Sequence, residues 1–492
     1  MHKKLLSGLF WVLLLNLIVK PLWILGIEVG VQNAVGAETY GFYFSIFNLA
    51  YIFNILLDLG ITNFNTRNIA QHPHLIHKHL GAILSIKLML LVLYALVTFT
   101  VGLLLGYHSR QFFLLAFLTF NQFLNSLILY LRSNFEGLLL FKWDSVLSVL
   151  DRLLMIAICG GLLLFQSQTF VFKIEYFVFA QTAAYLITAA VALGVLLSRT
   201  LRTPKQFKMR WNRLFSLAIL KQSAPFALLV LLMASYNRID PVLLQRLLPD
   251  GNYQAGIYAG AFRLLDALTM IAYLFSVPLL PIYAKLIKER PQSATSNDTS
   301  APITDTTQSM FTLVWVFSIT AAITLATLSQ PLMDLLYTEH SIASAKIFRI
   351  LIFCIIPIST TYIFGTLLTA NGSLKQLNLL AATSLLLNIF VNLLLIPHWG
   401  AIGSAWASLT TQTFMAVAQV VVALRIFGIR PHANYLMRLI LFVMIVALLN
   451  LLRLFIDNLW IHLLVVGVAA LCCACALFNI SIKQLTSEIK KT

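Results

Sequence analysis

The chain has 492 residues, of which 60% are hydrophobic and only 10% charged, against roughly 25% charged in an ordinary soluble domain. A membrane crossing needs about 20 apolar residues, so this length holds many crossings and leaves no room for a large aqueous domain. The formal net charge of +17 would suggest nucleic acid in a soluble protein; here the bases must first be sorted by depth and by side.

The opening stretch "MHKKLLSGLFWVLLLNLIVKPLWILG" has a basic start and a long apolar run but no small-residue cleavage pattern, which predicts a retained first helix. Polar and Gly/Pro clusters then divide the chain into fourteen apolar runs. The first six cover about residues 5–27, 39–64, 80–106, 111–131, 144–165 and 172–198. Six more cover 214–248, 253–285, 308–336, 344–370, 374–396 and 400–427, and a last pair covers 434–456 and 459–480. An even number of crossings returns both termini to one side.

Of the 34 Lys and Arg residues, 22 fall on the N-terminal side and five on the other: Arg110, Lys173, Arg246, Lys346 and Arg453. Positively charged loops stay in the cytoplasm, so both termini are expected there. The remaining seven, Lys20, Lys87, Arg152, Lys221, Arg238, Arg263 and Arg349, lie inside apolar runs. The five cysteines also lie in apolar runs and have no spacing of a disulfide framework or metal site.

A weak internal repeat lays "YGFYFSIFNLAYIFNILLDLGI" from Tyr40 over "AGIYAGAFRLLDALTMIAYLFS" from Ala255, matching Gly41 with Gly256 and Tyr43 with Tyr258. Upstream of each, a charged residue precedes proline: Lys20–Pro21 and Asp240–Pro241. Six helices followed by six that start on the same side form a parallel repeat of the transporter kind, with a cavity between the halves. The basic stretch 199–213 is expected to lie on anionic lipid as a linker between them. The segment "RPQSATSNDTSAPITDTTQ" reads as a flexible cytoplasmic loop.

The fold class expected is therefore an all-α polytopic membrane protein of about 14 transmembrane helices. It has two six-helix lobes related by a pseudo-two-fold along the membrane normal, plus a C-terminal helix pair. The N-lobe occupies 1–198, the linker 199–213, the C-lobe 214–427, and the last helices with a cytoplasmic tail 428–492.

"NIFVNLLLIPHWGAIGSAWASLTTQ", with Asn392, Pro397, Gly400 and the Gly403/Ser404/Ala405 run, resembles the eleventh-to-twelfth helix hairpin of polysaccharide (Wzx-type) flippases. These belong to the multidrug/oligosaccharidyl-lipid/polysaccharide exporter (MOP) superfamily. "NRIDPVLL", "AGIYAGAFRLLDAL" and "LLDLGI" are similar to that family too. The resemblance implies alternating access by two lobes, with helices one, two, seven and eight facing a central cavity. It also implies an undecaprenyl-pyrophosphate-linked oligosaccharide, an O-antigen or other surface polysaccharide unit, carried from the cytoplasmic to the outer leaflet of a bacterial inner membrane. Other polysaccharide assembly proteins are the implied partners besides the cargo and the bilayer, with no nucleic acid.

An unpaired charge in mid-bilayer costs at least about 3 kcal/mol on insertion scales, so the buried bases should face protein or water. Arg238 and Lys20 are the first candidates for the cargo's phosphates, since a guanidinium binds phosphate bidentately; the alternative is an ion pair with Asp240, or snorkelling. Arg263 and Asp266 share a helix face at i, i+3 and serve either the cavity or each other. Arg67 and Lys221, with Lys87, Arg132, Asp151 and Arg152, either form a cytoplasmic mouth for a diphosphate or reach to headgroups. Arg349 is open to the same two readings. Asp58, Asp240 and Asp266 are the acids that would bind Na+ or exchange H+ if flipping is coupled to a gradient, or that would hold a base. No other cofactor is expected. The histidines of "QHPHLIHKHL" read as an interfacial loop and not as a metal site. Pro225, Pro278, Pro281 and Pro357 are expected to bend their helices.

No phosphate-binding loop is present, which excludes a nucleotide-driven pump. A polytopic polymerase or ligase would need a sizeable external loop, whereas every external connection is short, so no enzyme is expected. A drug/cation antiporter of the same superfamily would concentrate acids where this chain has bases. A peptidoglycan-precursor flippase would also want bases and remains an alternative.

Overall fold

The computed structural model describes residues 18–72, 74, 76–165, 171–200, 213–276, 279–289, 301–429 and 432–478, and among these there is no strand. Among the described residues eleven helices are long and apolar enough to cross a membrane, or twelve when the bent pair Ala224–Arg238 and Asp240–Leu247 is counted as one span. Two of the eleven are interrupted by a glycine. Gly36 (φ 80°) breaks Ile18–Ile52, and Gly400 (φ 55°) breaks the 54-residue Leu374–Phe427. An uninterrupted helix of that length would run about 80 Å, far beyond a hydrocarbon core of about 30 Å. Counting each interrupted helix as two gives the fourteen apolar segments expected from the sequence.

The chain divides into two compact units, Met1–Ala259 and Gly260–Thr492. The described part of the first begins with helical residues 18–21 and a π-helix, Leu22–Glu28, directly after Pro21, which has no N–H to give. There follow α1 (Val29–Ile52), α2 (Ile61–Gln71), α3 (Ile76–Leu104), α4 (Ser109–Gly137), α5 (Phe141–Leu164), α6 (Ile174–Thr200), α7 (Arg213–Arg238), α8 (Asp240–Leu247) and the start of α9 (Gly251–Ser276). The second unit takes the rest of α9, then α10 (Leu279–Lys288), α11 (Ala301–Thr327), α12 (Ser329–Leu336), α13 (Ser341–Leu351), α14 (Ile355–Ala370), α15 (Leu374–Phe427), α16 (Ala433–Asn450) and α17 (Leu459–Phe478).

Many of the helices turn large apolar side chains outward, as Leu96, Leu386, Phe390, Ile440, Met444, Leu464 and Leu471 show. In water that pattern would be a liability; in a bilayer lipid tails cover it. Polar atoms are kept inside. In the second unit Asn450 donates to Thr324 Oγ1 (3.3 Å) and meets His462 Nε2 through its Oδ1 (3.3 Å), joining α11, α16 and α17.

The quoted α15 motif is a hairpin. Ser404 Oγ donates to Asn392 Oδ1 at 2.9 Å although the two residues are twelve apart, about 18 Å along a straight helix. Gly400 turns the chain, and a Cβ at Gly403 would strike the Leu395 carbonyl, so the small residues permit the return strand of helix to pack closely.

Candidate functional site

The run after α1 shows how one intramembrane charge is used. Helix hydrogen bonding lapses through a 3-10 turn, Asn54–Leu57, and the chain turns at Leu59 (φ 45°) and Gly60 (φ 82°) before α2 starts. A broken helix leaves carbonyls without N–H partners, which lipid cannot satisfy. Lys87 of α3, fully buried, fills the gap: its ammonium donates to Leu57 O (3.1 Å), Ser126 O (3.2 Å), Ser126 Oγ (2.7 Å) and Asp58 Oδ1 (2.9 Å). Asp58 in turn accepts from the Thr62 backbone and hydroxyl at the start of α2. Asp58 is thus held by a lysine, in a site that fixes the break.

Lys20 lies in different surroundings. It is half-buried, and the charges of Arg152, Arg132 and Asp151 bear on it. Arg132 Nε sits 2.7 Å from Asp144 Oδ1, and Arg152 Nε 3.6 Å from Asp151 Oδ2. Arg152 also lies 5.5 Å over the ring of Trp23, whose Nε1 donates to Glu28 Oε1 at 3.0 Å. The π-helix sets this geometry, because its extra residue per turn changes the facing of Trp23 and Glu28 relative to Lys20. Trp23 is braced by stacking on Phe177 of α6, with centroids 5.9 Å apart. Among the described residues Lys20 has no ion-pair partner, whereas both arginines beside it do. The cluster therefore offers one uncommitted ammonium in a polar, aromatic-walled environment.

Arg238, at the end of α7, stacks on Tyr51 of α1, 4.9 Å from the ring centroid. Asp240, fully buried at the start of α8, accepts from Tyr258 Oη at 2.8 Å. Nearby, α1 and α9 meet backbone to backbone: a Cβ at Gly41 would collide with Asn252 O and Gly256, and one at Gly256 would collide with Ala37 O. Gln32 Nε2 donates to Gly256 O (3.0 Å) and Ser45 Oγ to Pro241 O (2.8 Å) across the same contact. Gly41 and Gly256 are also the pair matched by the internal repeat.

The remaining candidates are dispersed. In the second unit, Arg263 is buried and donates to Tyr337 Oη at 2.7 Å, with Asp266 one turn on and half-buried. Arg349 is exposed and donates to Ser329 Oγ at 3.3 Å. Arg67 is exposed on α2. The side chain of Lys221 lies outside the described residues, as do those of His77 and His79, Pro278 and the linker 201–212. Sequence spacing gave no sign that Arg132 and Arg152 gather around Lys20, since they come from α4 and α5. Trp23, three residues after Lys20, is the local signal that the first helix presents more than one polar group to its neighbours.

Among the described residues, apolar helices with bases and acids held between them define a multi-pass membrane protein. Residues 5–287 match the polysaccharide biosynthesis protein family, and the chain belongs to that family, whose members move lipid-linked substrates within membranes and are not enzymes. Among solved structures it is similar to the lipid II flippase MurJ in an inward closed conformation, at 15% identity and a TM-score of 0.69, covering 95% of this chain and 99% of that one. It is also similar to an inward-facing multidrug resistance MATE transporter of the MOP superfamily, at 11% identity and a TM-score of 0.63, covering 82% and 94%. A MOP superfamily transporter from Pyrococcus furiosus matches at 13% identity and a TM-score of 0.53, covering 86% and 94%. No curated protein sequence matches. At these identities the likeness establishes the fold, that of MurJ and the MATE transporters.

Proposed function

We propose that this protein flips an undecaprenyl-pyrophosphate-linked oligosaccharide, the repeat unit of O-antigen or another surface polysaccharide, from the cytoplasmic to the outer leaflet of a bacterial inner membrane. Both termini are cytoplasmic in this reading, and the lobes 1–198 and 214–427 alternate. The observation that carries it is Lys20: a half-buried base beside Arg132 and Arg152, without an ion-pair partner among the described residues, in a chain of a polysaccharide biosynthesis family. A diphosphate entering from the cytoplasmic leaflet would satisfy that ammonium, and Arg238 on Tyr51 would receive it further along. Transport is powered by a Na+ or H+ gradient, with Asp240 and Asp266 the acids to test first, since Asp58 is engaged by Lys87.

The test is flipping in proteoliposomes of an undecaprenyl-diphosphate oligosaccharide, comparing the parent with Lys20→Ala and Arg238→Ala at matched incorporation. Collapse in both variants supports the reading; parent-like transport in both removes these bases from the path. The second reading, flipping of lipid II, is favoured by the likeness to MurJ. Transport of lipid II in preference to the oligosaccharide would establish it instead.

A further inference from the structure

Arg246 closes α8, where a cation is favoured by the helix dipole, but its guanidinium does more than cap. The group lies 4.9 Å from the ring centroid of Tyr107. Tyr107 is brought there by a left-handed turn at Gly106 (φ 67°) ending α3, with Tyr107 N donating to Gly102 O. Among the described residues, both Nε and Nη2 of Arg246 are buried without a hydrogen-bond partner, and so is the hydroxyl of Tyr107, a residue only 6% exposed.

Those two nitrogens form one edge of the guanidinium, the edge that binds a carboxylate or phosphate with two parallel bonds. Arg110, in the same unit, shows its normal use: Nε (3.2 Å) and Nη2 (2.9 Å) both donate to Glu175 Oε1. Arg246 has no such carboxylate among the described residues. Its neighbour Gln245 is turned away, with Nε2 on Asn252 Oδ1 at 2.8 Å. Burying an unsatisfied guanidinium edge is strongly unfavourable. It is retained next to Gln245, whose Cα and carbonyl lie against Gly251 at the tight turn from α8 into α9.

We infer that Arg246, with the Tyr107 hydroxyl, is a receptor for a phosphate oxyanion on the outer face, masked while the Gly106–Tyr107 turn is packed on α8. The placement outside rests on the proposed orientation, and the inference adds to the proposed function the step at which arriving phosphate stabilises the opened outer side. The same chemistry is offered by the diphosphate of the cargo and by a phospholipid headgroup.

The experiment uses the full chain in phosphatidylcholine nanodiscs and measures binding of inorganic pyrophosphate by equilibrium dialysis. Hydrogen–deuterium exchange across residues 240–259 is followed in parallel. A Lys20→Ala background removes the proposed inner phosphate site. Saturable binding with faster exchange is expected, weakened roughly tenfold or more by Arg246→Gln, partly retained in Arg246→Lys, and unchanged by Arg110→Gln, whose edge is already occupied. Tyr107→Phe, which keeps the ring, should give a smaller loss. Binding that survives Arg246→Gln undiminished, or no saturable binding in the background protein, overturns the inference. If Arg246→Gln does not fold, Arg246→Lys and Tyr107→Phe decide it: parent-like affinity in both overturns it. Phosphatidylglycerol-rich nanodiscs that compete with pyrophosphate only when Arg246 is present identify the headgroup as the occupant; absence of competition identifies the cargo's phosphate. Loss of flipping with this binding intact would refute only the cargo reading, and flipping without Arg246-dependent binding would refute only this one.

Discussion

Two lysines in the same unit show how differently an intramembrane charge is used. Lys87 is fully buried and has four acceptors, including the Asp58 carboxylate; its donors are consumed by the backbone break and by Ser126 of α4. Lys20 is half-buried, neighbours two arginines, and has no ion-pair partner among the described residues. A charge whose surroundings already satisfy it has a structural use, whereas one left without an ion-pair partner has room for a ligand. The difference lies in the partners and not in the depth, which is why apolar context alone ranks the two alike.

Breaking the saturated pair should have the largest effect. Asp58→Asn or Lys87→Met alone leaves a buried charge or broken carbonyls behind and should cost about 3–5 kcal/mol. The loss is read as lower folded yield and earlier thermal unfolding in detergent. The double variant Lys87→Met with Asp58→Leu should regain part of that loss, because no lone charge remains. A double variant whose loss equals the sum of the two single losses would show that the pair is not coupled. For Lys20→Ala the contrast reverses: unfolding should match the parent while flipping falls roughly tenfold or more, and Lys20→Arg should retain transport. A Lys20→Ala protein that unfolds early would place Lys20 with Lys87 as a structural base.

Much of this architecture is legible in the sequence, because helices in lipid must satisfy their own backbone and so advertise themselves as apolar runs. The fourteen segments and the Gly400 hairpin follow from that rule and from Pro397, Gly400 and Gly403. Partners of charges are less legible. Asp58 was open to ion coupling or to holding a base, and its actual neighbour, Lys87, stands 29 residues away on another helix. Arg132 and Arg152 are open in the sequence to a cytoplasmic mouth or to headgroup contact, and α4 and α5 carry them to Lys20. Arg246 counted only as one of five external bases. Each of these depends on tertiary contacts between helices, which periodicity along a single helix does not encode.

The contact of α1 with α9 has no charge at all, and the next effect in size belongs there. Gly41→Ala places a Cβ against Asn252 O and the Gly256 backbone, a collision with main chain that no rotamer relieves. Overpacking of this kind costs about 1–3 kcal/mol. The expected outcome is faster hydrogen exchange over residues 251–259, with Gly102→Ala, where flexible side chains surround the Cβ, as the milder control.

The smallest expected effect tests whether satisfied polar groups without charge follow the Lys87 pattern. Ser404 Oγ donates to Asn392 Oδ1, and Asn392 Nδ2 donates to Asn388 O at 3.0 Å, both fully buried within the hairpin. Ser404→Ala removes one neutral hydrogen bond and leaves Asn392 Oδ1 without its donor, a loss of about 0.5–1.5 kcal/mol. Ser404→Thr keeps the hydroxyl but adds a methyl where the hairpin is tight, so it should do no better than Ser404→Ala if packing governs, and better if the hydrogen bond does. Thermal unfolding of the two variants separates those cases. Because the Asn392–Ser404 bond joins two halves of one hairpin and touches no phosphate-facing base, flipping per folded molecule should stay at the parent level in both; a transport defect without a stability change would mean the hairpin moves during the cycle and belongs with Lys20 after all.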